Sequence, residues 1–214
     1  MDIIRSIFVI ITSLVLHVMP APHPCHYGPQ TVMKATAIIM PFKQEYKHAH
    51  EPKLSGMITF YQRDEHAPVK AEGKIKGLKA GYHGLHIHML GDLSKGCGST
   101  GEHYNPFKKH HGPPESPYRH VGDLGNIHAD YYGIAKIGFI DKLLSLNGPT
   151  SIVGRTIVVH AYPDDLGQGG NAQSLVNGNS GERLGCGIIG IAYETKQYPC
   201  PPYKDHHGKL AKKQ

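Results

Sequence analysis

Between residues 32 and 193 the apolar residues come in about eight short runs, cut apart by Gly, Pro, Asn and Asp. Runs this short suit strands better than core helices. They are Val32 to Met40, Leu54 to Tyr61, Val69 to Leu78, a run through His86 and His88, two runs around Asp130-Tyr-Tyr-Gly133 within Ile127 to Leu146, Ile152 to Ala161, and Gly185 to Tyr193. With 26 Gly, 16 Pro and no Trp, the pattern predicts an all-β domain. Two stretches lack periodicity, Gly91 to Gly125 and Tyr162 to Leu184. Loops that long in a compact domain usually carry function. Pro41 to Lys53 reads as an exposed polar loop. No internal repeat stands out.

Residues 1–21 read as a separate segment: Arg5, then the apolar run Ile7–Met19, then Pro20-Ala-Pro22. This suits a cleaved secretory signal; an uncleaved anchor would need a longer run without His17. Residues 22–33 form a Pro- and His-rich extension, 34–194 the domain, and 195–214 a tail. Behind a signal, the four Cys suggest two disulfides in an oxidising, extracellular compartment. There is no Asn-x-Ser/Thr sequon. The formal net charge is +6, of which the tail holds about +4. A basic tail can contact anionic glycans or surfaces, but a solvated, frayed terminus is the preferred reading. Nothing points to specific nucleic-acid binding.

The stretch Gly81 to Asp92 puts His86 and His88 two apart in a strand-like context, so both imidazoles emerge on one side. His103, His111, His120 and Asp123 follow in a Gly/Pro-rich loop, and His160 ends the run Thr156-Ile-Val-Val-His160. A lone His is usually structural, and a chain with 17 of them has some by chance. Six in this context, with one carboxylate, form a metal constellation. Four imidazoles without thiolate suit copper; three and a carboxylate suit zinc.

Six motifs follow in order: Gly84-Leu-His-Ile-His88, Gly101-Glu-His-Tyr-Asn-Pro106, Arg119-His-Val-Gly-Asp-Leu-Gly-Asn126, Gly154-Arg-Thr-Ile-Val-Val-His160, Asp164-Asp-Leu-Gly-Gln-Gly-Gly170 and Arg183-Leu-Gly-Cys-Gly-Ile-Ile-Gly190. With them the sequence resembles the copper/zinc superoxide dismutase family, of the secreted type, from about Lys34 to Glu194. The resemblance implies an eight-stranded Greek-key β-barrel, an immunoglobulin-like sandwich, with two long functional loops. It implies one copper ion per subunit on His86, His88, His103 and His160, and one zinc ion on His103, His111, His120 and Asp123. His103 would bridge the two. It further implies that Asp164 links a copper His to a zinc His, that Cys97 and Cys186 form a disulfide, that Arg183 guides superoxide and that His83 packs. A homodimer through Leu90, Gly91, Gly154 and Gly187–Ile191 follows by the same resemblance. Cys25 and Cys200 lie outside the match and are expected to pair with each other.

The chain departs from the family at the substrate approach. Ala172-Gln-Ser-Leu-Val-Asn177 is neutral, Asn177 stands where Thr is usual, and Met89-Leu90 replace an acidic and an aromatic residue. Other functions on such a fold are a metal carrier, a copper-delivery chaperone or an inactive adhesive module. A chaperone would carry Cys-x-x-Cys and lack copper ligands; the sequence shows neither trait.

Overall fold

The computed structural model describes residues 32–42 and 53–192. All of them lie in one compact unit, Gln30–Gln197. The expectations for the signal segment, the basic tail and a Cys25–Cys200 pair therefore lie outside the described residues.

Eight antiparallel strands close a barrel: β1 (Lys34–Pro41), β2 (Ser55–Tyr61), β3 (Val69–Lys76), β4 (Gly81–His88), β6 (Asp123–Ala129), β7 (Ile134–Asp141), β8 (Thr156–His160) and β9 (Arg183–Ile188). Two short strands, β5 (Ser94–Cys97) and β10 (Gly190–Ile191), are additional. The order is β1-β2-β3-β7-β6-β4-β8-β9, and Met40↔Cys186 and Pro41↔Gly185 join β9 back to β1. The chain leaves β3 without pairing it to β4, so the connections cross the barrel ends in Greek-key fashion.

Alternation explains most of the wall. In β3, Val69, Ala71 and Ile75 face the core while Lys70, Glu72, Lys74 and Lys76 face out. In β1, Ala35, Ala37 and Ile39 are buried and Ile38 and Met40 are exposed. β4 and β8 depart furthest from this pattern. From His83 to His88, β4 is buried on both faces, and so is all of β8. Their inner faces supply Leu85, Ile87, Ile157 and Val159 to the core. Their outer faces lie under the two long loops.

The structure corrects four expectations. Asp123, expected in a loop, is the first residue of β6, and Arg183 is the first of β9. The stretch from Gly91 holds β5, and the second long loop holds a one-turn helix, α1 (Ser174–Asn177). In all four cases Gly-rich flanks mask the edge of an element, because regular structure there is set by tertiary contacts.

β6 and β7 share a single residue pair, Ala129↔Ala135, and then diverge. A cleft of about 660 Å³ opens between them and the Pro114–Pro117 loop; none of the six histidines read as ligands lines it.

Candidate metal centre

β4 and β8 are adjacent, with His86 opposite Val158 and His88 opposite Thr156. The strand period of two sends His86 and His88 outward together, and His160 reaches the same side from the end of β8. The first long loop folds back along β4. Met89 N donates to Glu102 O (2.8 Å), Leu90 N to Thr100 O (2.9 Å) and Tyr104 N to Ile87 O (2.8 Å), which sets His103 beside His88.

Two buried groups result. His86, His88, His103 and His160 form one; His103, His111, His120 and Asp123 form the other, and His103 belongs to both. His111 enters the group and its neighbour His110 stays exposed. A third set, His86, His111 and Asp164, ties the two together.

The hydrogen bonds fix where the lone pairs point. Asp164 Oδ2 lies 2.9 Å from His86 Nε2, and Oδ1 lies 2.7 Å from His111 Nε2. An ionised carboxylate only accepts, so both of those nitrogens carry protons. His86 Nδ1 and His111 Nδ1 are left as lone pairs, buried and without hydrogen-bond partners. His88 Nδ1 faces Gly101 O (2.8 Å) and His160 Nδ1 faces Gly181 O (3.1 Å), so their Nε2 atoms are also lone pairs. Those two atoms face each other at 3.3 Å with no proton to share. In the second group His120 Nε2 donates to Lys109 O, and its Nδ1 lies 3.0 Å from Asp123 Oδ1. His111 Nδ1 approaches the same oxygen at 3.0 Å without hydrogen-bond alignment, and His103 Nδ1 approaches it at 2.9 Å. His103 Nε2 is the third buried nitrogen without a partner.

Acceptors that converge in this way repel one another unless a cation lies among them, and each orphaned buried group costs about 1–3 kcal/mol. The donor sets therefore fit metal ions: four imidazole nitrogens in one group, three and a carboxylate oxygen in the other.

Burial keeps His86 and His88 well below the usual imidazole pKa, with the His103 ring adding to the effect. Burial likewise lowers His160 to about 4. These rings stay neutral, as ligands must. Burial disfavours the charged form of Asp123, but His103, His111 and His120 outweigh it and hold the carboxyl far below its usual range.

A model of the copper/zinc superoxide dismutase family matches residues 54–189. A superoxide dismutase [Cu-Zn] from Cryptococcus neoformans var. grubii is 54% identical over 143 residues, covering 66% of this chain and 93% of that protein. The chain belongs to the copper/zinc superoxide dismutase family. It is an oxidoreductase that acts on superoxide, and the barrel is the family's Greek-key fold. The family implies copper and zinc, and the two donor sets suit that pair.

Other expected residues are also in reach. Cys97 and Cys186 are disulfide-bonded, with Cα atoms 5.8 Å apart. Arg183 is half-buried at the start of β9; Nη1 donates to Cys97 O (2.8 Å) and Thr100 Oγ1 (3.0 Å), and Nη2 to Gly101 O (2.8 Å). Gly101 O thus serves both His88 and Arg183. His83 packs as expected, its Nδ1 2.8 Å from His160 O and its Nε2 2.9 Å from Lys79 O.

Sequence reasoning missed three supports. Arg119 is buried; it donates to Pro114 O, His120 O and Val121 O and pairs with Asp141, anchoring the first loop to β7. Asn126 brackets Asp164, donating to its carbonyl (2.8 Å) and accepting from its amide (2.7 Å). Gly178 ends α1 at φ 66, and a Cβ there would lie 2.0 Å from Asp164 Oδ1. The only sequence signal for any of them was membership in, or nearness to, the quoted motifs.

Proposed function

We propose that the chain is a secreted antioxidant enzyme in which His86, His88, His103 and His160 hold copper and His103, His111, His120 and Asp123 hold zinc. The observation that carries the assignment is the pair of lone-pair sets, one of nitrogens alone and one including a carboxylate oxygen, meeting at His103.

The reaction turns two superoxide anions and two protons into dioxygen and hydrogen peroxide. When bound, copper supplies the one-electron couple and zinc an inert positive charge. The residues supply the rest. Arg183, permanently charged and held by three neutral acceptors, presents its guanidinium to the small anion. His103 takes up and releases a proton at Nε2, while Nδ1 stays directed at the Asp123 side. Asp164 holds His86 and His111 in one tautomer, so the ring orientations persist through turnover. Burial under the two loops keeps His86, His88 and His160 neutral.

A homodimer is supported by an exposed apolar face. Ile38 and Met57 are paired across β1 and β2, and Leu90 and Ile188 lie exposed as well. A Cβ at Gly91 would lie 2.0 Å from Gly154 O, so Gly91 lets these two segments of the chain approach closely beside that face. Secretion rests on Arg5 and the apolar run Ile7–Met19.

The test is to load the protein with copper and zinc and assay superoxide loss beside a His160→Ala variant. The proposal expects the activity to fall at least about 100-fold in the variant, with zinc retained. Activity that does not depend on His160 would refute the proposal.

A further inference from the structure

The field an anion meets at Arg183 has a second source. The three acceptors that grip its guanidinium are uncharged and lie on one segment, Cys97 to Gly101. The next residue on that segment is Glu102, whose side chain is exposed and whose carbonyl is tied to Met89 N (2.8 Å). Glu102 thus stands between Gly101, which holds Arg183, and His103, which both donor sets share. Burial lowers the Arg183 pKa and the Glu102 carboxylate opposes that shift; Arg183 in turn is felt by His88 and His160. On the facing loop Glu182 is also exposed beside Arg183 in sequence, but Glu102 is the charge that acts on the guanidinium. Residues 172–177 are uncharged, and Leu175 and Val176 of α1 are exposed there.

We propose that Glu102 acts through Arg183 to attenuate substrate capture: its carboxylate lowers the positive potential that draws superoxide to the guanidinium. At a distance the two side chains present a dipole and little net charge, so long-range steering is weak. Removing the carboxylate leaves an uncompensated cation, whose attraction reaches about a Debye length, ~10 Å at 0.1 M salt. Glu102 is a positioning residue in this sense, and the inference rests on Arg183 being the anion-holding residue.

The test uses the copper- and zinc-loaded full chain and azide as a probe anion, with azide Kd read from the visible spectrum alongside superoxide rate constants. Glu102→Gln should tighten azide and raise the rate about two- to fourfold at low ionic strength, and the gap should close as salt is added. Glu102→Asp should keep the native values. Glu65→Gln, which removes the same charge from the exposed β2–β3 turn, should change nothing. The inference is overturned if Glu102→Gln leaves azide Kd at the native value, or if its effect persists undiminished at high salt. Arg183→Gln separates the two levels. If it weakens azide while Glu102→Gln has no effect, only the inference fails. If it leaves azide binding intact, the role given to Arg183 fails and the inference falls with it.

Discussion

His103 directs Nδ1 at Asp123 Oδ1, 2.9 Å away, and leaves Nε2 buried without a partner. One ring thus serves two donor sets that are otherwise built from different parts of the chain. β4 and β8 supply the other three residues of the first set; the long loop and the start of β6 supply those of the second.

Asp164 should matter to both sets at once. Asp164→Ala removes the acceptor for His86 Nε2 and His111 Nε2 together, so both tautomers are released. Affinity for each metal should fall about 10–100-fold. Chelator competition followed by metal analysis measures it; a loss at only one site would contradict the shared role.

The metal-free protein should be most stable near pH 6.5. Burial holds folded His160 neutral down to about 4, whereas the unfolded ring takes a proton near 6.5. Between those values the unfolded state binds more protons, so stability falls as pH drops. His111 has the opposite sign. Burial opposes its charging, but Asp123 and Asp164 outweigh burial and raise it to about 9. Its contribution is complete below about 6.5 and is lost as pH rises through about 9. Urea midpoints measured with chelator present from pH 4 to 10 should trace a peak; a monotonic profile would contradict these assignments.

Breaking the disulfide should act on both stability and catalysis. Cys97 and Cys186 are separated by 89 residues, so the chain-entropy model gives roughly 4–5 kcal/mol as an upper figure. Cys97 O also holds Arg183 Nη1. A Cys97→Ala, Cys186→Ala double variant should lose thermal stability and also bind azide more weakly when metal-loaded. Lower stability with native azide affinity would separate the bond from the arginine.

The superoxide rate should depend only weakly on ionic strength. The 172–177 segment carries no charge to steer the anion, and screening acts only on the charges present. Stopped-flow rates should fall by less than about twofold up to physiological salt. A steep decline would show that unrecognised charges shape the approach.

The barrel was largely legible in the sequence because alternation survives in β1 and β3, and because His86 and His88 sit two apart on a strand. Assigning His111, His120 and Asp123 to a single ion needed the family resemblance, since His111 and His120 lie in a loop, where positions follow no period. Arg119 was the hardest to read. An arginine in a polar loop is exposed by default, and only the folded chain brings Asp141 and three carbonyls around it. Asn126 and Gly178 are similar. Each acts on Asp164, which is 38 residues from the one and held by the other through close approach.

The most direct test is anomalous diffraction at the copper and zinc edges from crystals of the fully loaded protein. The account predicts a copper peak at bonding distance from His103 Nε2 and a zinc peak about 2.0–2.1 Å from His103 Nδ1. Peaks that leave the His103 ring bound to one ion or to neither would contradict it.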